Sequence, residues 1–347
     1  MLETIGYEPA MARWVTQCDA SLGRVVRVDR GLASTLTESG PVRSSFGSSL
    51  LADMAIDSTC TPCTGDFVVL REWPDHRTTL EQVLPRRTAV CRATAGEQSV
   101  GQVLCANLDF AAVVVSLHPA PVIGKVERML ALAWQSGAQP VVVLTKADMV
   151  GDAALVAEDM AAAAPGVEVI CASIVTGEGL GRLHELISGR HTIALLGSSG
   201  HGKSSLANAL VGAQVLTTRA IRDDGRGRHT SVRRELVVLP AGGAVIDTPG
   251  LRGVGLIDAE AGLAQTFVDV DELVVRCRFT DCSHRMEPGC AIKEAVADGS
   301  LPQRRFDSWQ KLQREMAWMA ARKDARLRAE RLKVWKRATR ESGRTRR

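Results

Sequence analysis

The sequence predicts a multidomain chain: a small β-barrel first, an α/β domain in the middle, and an α-rich C-terminal part built around a metal cluster. Three observations predict it. Short β-rich runs broken by Gly, Pro and Asp fill a stretch of roughly 80–90 residues near the start. From Asn107 onward, strand-like runs alternate with helical patterns, as in a doubly wound sheet. Three cysteines and a histidine then fall within 14 residues, Cys277 to Cys290. At ~100–200 residues per domain, a chain of 347 residues holds two or three domains.

Taken in order, residues 1–20 are mixed and specify little. Arg24 to Asp29 reads as a strand, followed by Gly31 and a mixed polar stretch, Leu32 to Phe46. Thr64 to Arg71 and Thr78 to Arg92 continue the β-rich pattern. A five-stranded oligonucleotide-binding (OB) barrel fits these runs, and periodicity alone does not separate it from other small barrels. Cys60 and Cys63 form a C-x-x-C in a loop here. No second pair stands nearby, so they read as incidental rather than as a metal site.

The α/β pattern is clearer. Ala111 to Leu117, Gln139 to Leu144 and Val167 to Cys171 are apolar runs of the length of buried parallel strands. Helical patterns follow each of them, over Val126 to Gln135, Asp152 to Ala163 and Gly181 to Ile187. Two further strands are expected at Leu236 to Leu239 and Ala244 to Ile246. The text from Leu256 to Pro288 is irregular. Gln303 to about Arg340 reads as one or two long basic helices with interleaved Trp309, Trp318 and Trp335.

The central motif is Gly197-Ser198-Ser199-Gly200-His201-Gly202-Lys203-Ser204-Ser205, preceded by the apolar run Ile193 to Leu196 and followed by a helix start. This is G-x-x-x-x-G-K-[ST] between a strand and a helix. Glycines let backbone N–H groups wrap a phosphate chain at a helix N-terminus; Lys203 would reach the β- and γ-phosphates, and Ser204 would hold Mg²⁺. Asp247-Thr248-Pro249-Gly250 follows the last strand. There Asp247 is a second Mg²⁺ candidate, and the Gly250 N–H is a γ-phosphate candidate. Between them, Gly225 to Ser231 has no apolar content and reads as a mobile loop, with Thr230 offering a further hydroxyl to Mg²⁺. Thr145-Lys146-Ala147-Asp148 ends the strand Gln139 to Leu144. A carboxylate there, Asp148, can accept from guanine N1–H and N2–H, which adenine does not offer, with the Lys146 stem along the base. Ser173, after the next strand, is placed to bring an N–H near guanine O6.

Cys277, Cys282, His284 and Cys290 make a Cys₃His set suited to one closed, structural Zn²⁺. Their segment is poor in apolar residues, so the metal would supply much of its folding energy. Hydrophobic content of 45% and charged content of 24% are ordinary for a globular chain. Residues 1–19 show no export signal and no apolar run is long enough to span a bilayer, so a cytoplasmic protein with no membrane partner is expected. The net charge of +4 hides an asymmetry: residues 303–347 carry 16 Lys/Arg and 5 Asp/Glu, whereas the remainder carries 27 and 34. A basic tail on an acidic body points to a polyanionic partner.

The order of these motifs is unusual: guanine-reading residues first, then phosphate loop, then Thr230, then Asp247. In that order, with a barrel before and a Cys₃His cluster after, the chain resembles the circularly permuted GTPases, and among them the ribosome small-subunit-dependent family (RsgA or YjeQ type) over roughly residues 23–300. The resemblance implies an OB-fold barrel in residues 1–105, a permuted GTPase domain in 106–256 and a zinc-binding domain with a basic helical tail in 257–347. It implies a monomer that binds GTP and GDP, hydrolyses GTP with Mg²⁺, and meets the 30S subunit and its 16S rRNA late in assembly. Two other classes stay open from the residues alone: an RNA-binding protein with a vestigial nucleotide site, and a small-molecule kinase with a structural zinc.

The departures from the family pattern carry expectations of their own. Thr145 stands where Asn is usual; its shorter reach to the base and neighbouring loop predicts weaker nucleotide binding. His201 stands where Val is usual and is expected to point outward. Leu251 follows Gly250 where many GTPases place a water-orienting Gln, so unassisted hydrolysis should be slow, with His229 as the candidate water-positioning group. Only 26 residues separate Gly250 from Cys277, which should couple nucleotide state to the zinc cluster.

Overall fold

The computed structural model describes residues 2–15, 19–93, 101–216, 234–250 and 259–323. Thr230, His229, Leu251 and the tail beyond Lys323 lie outside them.

Five strands close a barrel: β1 (Ala20–Asp29), β2 (Leu32–Thr37), β3 (Gly40–Phe46), β4 (Phe67–Glu72) and β5 (Thr78–Val83), in the order β1-β2-β3-β5-β4. A parallel pairing of Ser45 with Thr79 and Phe46 with Leu80 closes it. Helix α1 (Ser48–Ile56) links β3 to β4 and inserts Leu50 among Val25, Ala33, Val68, Leu70 and Leu80. This is the OB arrangement. The polar text of Leu32 to Phe46 therefore conceals two strands. Inward Ala33, Thr35 and Thr37 alternate with more exposed neighbours, and their small side chains suit a narrow barrel interior.

A hairpin of β6 (Ala89–Ala93) and β7 (Gly101–Ala106) leads into the α/β part, where six strands follow: β8 (Phe110–Ser116), β9 (Gln139–Thr145), β10 (Glu168–Ala172), β11 (Thr192–Leu196), β12 (Glu235–Val238) and β13 (Ala244–Asp247). Their order is β10-β9-β8-β11-β13-β12, with only the edge strand β12 antiparallel. The central parallel strands are covered on both faces, which is why they read as apolar runs; the edge strand β10 is less buried and carries an exposed Glu168. Helices α2 (Ile123–Gln135), α3 (Ala153–Ala163), α4 (Leu180–Ile187) and α5 (Lys203–Val211) fall close to their expected positions.

The C-terminal part holds α6 (Glu260–Thr266), α7 (Val268–Val274), α8 (Ala291–Ala297) and α9 (Gln303–Lys323). The irregular reading of Leu256 to Pro288 is thereby corrected: α6 and α7 have seven residues each, too few for helical periodicity to register. The first half of the basic tail, α9, folds back on α2, burying Leu312, Met316 and Met319.

Two buried arginines fasten the flanking parts to the central sheet. Arg24 of β1 is 1% exposed and donates to the carbonyls of Ile5, Gly65 and Asn107 and to the hydroxyl of Thr192 at the start of β11. Its acceptors are all neutral, and burial pushes its pKa down to about 10. Arg305 of α9 uses all five N–H groups: on Asp269 with two, and on Glu127 of α2, Ala163 O and Thr266 O with one each. Arg304 shares Glu127, and the neighbouring Arg128 pairs with Glu315 about three turns further along α9.

Replacing Arg24 with Ala removes four bonds and leaves buried acceptors unpaired, at about 1–3 kcal/mol per orphaned group. Calorimetry of R24A should show a Tm several degrees lower, with the barrel melting apart from the sheet; a single unshifted transition would contradict this linkage.

Candidate functional site

In a parallel sheet every strand delivers its C-terminal end to the same edge, where loops can meet. Here that edge receives Ser116, Thr145, Ala172, Leu196 and Asp247. The predicted site residues from four separate stretches of sequence thus arrive together, each stretch hydrogen-bonded to at least one other.

The phosphate loop leaves β11, whose five residues are all buried. Gly197 has φ 152°, and a Cβ there would lie 2.4 Å from the carbonyl oxygen of Val114. No side chain fits, so the loop can hug β8. Ser198, Ser199 and Gly200 form the more open rim; Gly202 leads into α5, and Ser205 sits half-buried in its first turn. Lys203 is 6% exposed and curls back to donate to the carbonyls of Gly197 (3.1 Å) and Ser198 (2.9 Å). Burial lowers its pKa, opposed by Asp247. An anionic phosphate chain in the loop would offer this ammonium stronger acceptors than two carbonyls.

Ser204 Oγ donates to Asp247 Oδ2 at 2.5 Å. Asp247 Oδ1 is buried with no hydrogen-bond partner among the described residues, and burial raises the pKa of the group. A buried carboxylate oxygen without a donor, beside a hydroxyl and a phosphate loop, fits a divalent cation or its bound water. Thr248 anchors the turn after Asp247 by donating to Leu195 O at 2.6 Å. Gly250 then passes so close to the loop that a Cβ would meet Ser199 N at 2.5 Å.

At the end of β9, Thr145 Oγ1 donates toward His201 O at 2.8 Å, with Val115 O at 3.3 Å. Thr145 is expected to reach less of the base and neighbouring loop than Asn would; its hydroxyl does contact the phosphate loop, where Gly202 leaves the approach open. Lys146 has φ 61°, and its Nζ reaches His118 O at 3.2 Å. Ala147 is buried while Asp148 is exposed, its Oδ1 accepting from Ser173 Oγ at 2.5 Å. Ser173 also accepts from the N–H groups of Val175 and Thr176. Its side chain therefore orients the Asp148 carboxylate, a role the sequence alone did not reveal. His201 does not point outward. Its Nδ1 lies 3.0 Å from Val114 O, and burial lowers its pKa, so the ring braces the loop against β8 as a neutral imidazole.

The donor atoms of Cys277, Cys282, His284 and Cys290 all lie within 4.8 Å of one another. The Sγ atoms of Cys277 and Cys290 are 4.0 Å apart, and each lies 3.5–3.6 Å from His284 Nδ1. A tetrahedron with Zn–S near 2.3 Å and Zn–N near 2.05 Å has edges of roughly 3.8 and 3.6 Å, so the set fits that metal. Glu287 folds the loop by accepting from the N–H groups of Ser283, Arg285 and Met286, and the His284 ring packs edge-on against Phe306 and Trp309 of α9. Cys60 and Cys63 take no part. The Cys63 thiol is buried near Asp66, which lifts its pKa well above the ordinary value, and Arg86 clamps the loop through Asp66.

Comparison with known proteins agrees with this geometry. The family model for the RsgA GTPase matches residues 83–257. The Small ribosomal subunit biogenesis GTPase RsgA of Streptomyces avermitilis is 51% identical over 323 residues, covering 91% of this chain and 85% of that one. Its counterpart in Streptomyces coelicolor is 50% identical over the same length, with 91% and 86% covered. Among solved structures, YjeQ from Thermotoga maritima matches with a TM-score of 0.62 at 24% identity, covering 84% of this chain and 97% of that one. YloQ, a circularly permuted GTPase, matches with 0.60 at 23% identity, covering 89% and 98%. The likeness to these two concerns the fold. Among the described residues no helix is long and apolar enough to cross a membrane.

The Thr145 hydroxyl joins the two halves of the candidate nucleotide site, and one such bond contributes about 1 kcal/mol. Thr145→Val should therefore raise the Kd for GDP about fivefold in a fluorescent-nucleotide titration. An unchanged Kd would remove the bond from the binding energetics.

Proposed function

The chain belongs to the RsgA GTPase family, a family of GTP hydrolases, and from that premise we propose that it serves the late assembly of the small ribosomal subunit, hydrolysing GTP faster when bound to the subunit and its 16S rRNA. The relatives at 50–51% identity are named small ribosomal subunit biogenesis GTPases, which supports the partner. The basic run beyond Lys323 supports a polyanionic one. The observation that carries the nucleotide reading is the pairing of Ser204 with a buried Asp247 whose second oxygen is unpartnered, at the sheet edge that also presents Asp148. We further read the protein as a cytoplasmic monomer with three units, residues 1–105, 106–256 and 257–347.

In this reading Asp148 accepts from guanine N1–H and N2–H, and Ser173 keeps the carboxylate turned to them. Lys146 flanks the base. Gly197 to Gly202 present their N–H groups to the phosphates, and Lys203 moves from the loop carbonyls to the β- and γ-phosphates. Ser204 and Asp247, with Thr230 in the loop from Gly225 to Ser231, would hold Mg²⁺. When bound, that ion neutralises charge between the β- and γ-phosphates. The Gly250 N–H meets the γ-phosphate. Leu251 offers no hydrogen bond to water, so His229 is the candidate for orienting it once the subunit orders its loop. Cys277, Cys282, His284 and Cys290 would hold one Zn²⁺ that shapes the segment carrying Phe279 and Arg278.

Turnover of GTP and ATP, each with and without purified 30S subunits at one stated salt concentration, tests the proposal. GTP-only turnover raised at least about tenfold by 30S is expected, within the range that ordering a water-positioning group supplies. Equal use of ATP would point to a kinase-like enzyme, and no turnover to a vestigial site. His229→Ala should lose most of the 30S-stimulated rate while binding GDP normally; full stimulated turnover would end its assigned role.

A further inference from the structure

A cavity of about 770 Å³ lies between β8, the phosphate loop, α2 and α9. This is within the ~300–1,000 Å³ of small-molecule sites. It adjoins the nucleotide site, sharing Gly197, Ser198, Ser199 and His201 of the phosphate loop, but none of Lys203, Ser204, Asp247 or Asp148 lines it. Its floor is apolar, from buried Val113, Val115, Met129 and Leu312. Its rim is polar and cationic. Ser198 and His201 face it from the phosphate loop, Lys125 from the first turn of α2, and Lys311 from α9. Arg128 also lines it while bonded to Glu315. No carboxylate is among the described lining residues, and neither lysine forms an ion pair with a described residue.

Two uncompensated ammonium groups over an apolar floor select a particular ligand. A purely apolar molecule leaves the cations unanswered, and a small inorganic anion leaves the floor wet. We propose that the cavity binds a small amphipathic anion, with an aromatic or branched apolar body and one carboxylate, sulfonate or phosphate. The body lies on Met129 and Leu312, and the anion sits between Lys125 and Lys311. Both ammonium groups are solvent-exposed, so each contributes an attraction of surface ion-pair size and burial of the apolar body supplies the rest. Such a ligand touches the phosphate loop and α9 at once, which ties the seating of the C-terminal helix to the loop that holds the phosphates. The inference is independent of the small-subunit reading.

The test uses the full chain loaded with GDP and Mg²⁺, titrated with 8-anilinonaphthalene-1-sulfonate, an aromatic probe with one sulfonate. Saturable binding of one probe per chain is expected. Leu312→Trp, which fills the floor, and the double variant Lys125→Ala/Lys311→Ala should each weaken it by about tenfold. Ile56→Ser, at an 88% exposed apolar residue of the barrel, should leave it unchanged. Circular dichroism verifies folding of L312W, and the double variant alters only exposed lysines, so it decides the matter if L312W does not fold. Equal affinity in the double variant, loss of binding in I56S, non-saturable binding, or displacement of the probe by excess GDP would each overturn the proposal.

Discussion

A guanidinium shut away from water needs oxygen acceptors for its N–H groups, and that requirement fixes how this molecule is assembled. Arg24 meets it at the barrel end with backbone carbonyls and Thr192, which begins the strand leading into the phosphate loop. Arg305 meets it at the other end with Glu127 and Asp269. The two solutions differ. Arg24 is a buried charge held by neutral dipoles, so the geometry of four separate segments must be right at once. Arg305 is a buried ion pair, whose removal would leave the buried Glu127 carboxylate with only the half-exposed Arg304. Either way, the flanking parts are fastened to the strand and the helix on which the phosphate loop depends.

Within the central sheet the same economy recurs on a smaller scale. Thr145 ties the end of β9 to the phosphate loop through His201 O, and the His201 ring ties the phosphate loop to β8 through Val114 O. The residues that depart from the family pattern are therefore not slack. Thr145 reaches with a hydroxyl, and His201 supplies a polar brace where an apolar side chain would pack. The phosphate loop is held from both sides before any nucleotide arrives, which reduces the ordering required on binding.

The chemistry was legible in the sequence because it rests on residue type at fixed spacing. Gly197 to Ser204, Asp247 to Gly250, Thr145 to Asp148 and the Cys₃His set need no knowledge of tertiary contacts to be seen. The parallel strands were legible because burial on both faces leaves an apolar run. Other features were silent for physical reasons. Strands β2 and β3 carry small polar residues inward; α6 and α7 are too short to show a period. Arg24, Glu127 and Arg305 look like surface charges until partners 83 to 178 positions away arrive. The inward turn of His201 depends on a carbonyl of a strand 87 residues earlier, and no local pattern encodes that.

The reach of Arg24 has a consequence for the order of events during synthesis. The barrel leaves the ribosome first, yet its buried guanidinium finds Asn107 O only after 83 further residues and Thr192 only after 168. Until then that face of the barrel keeps its arginine in water, and the nascent chain carries an unfinished module. Folding of the first hundred residues is thus completed by the strand that opens the phosphate loop, so barrel maturation and assembly of the nucleotide site are one late co-translational step rather than two successive ones.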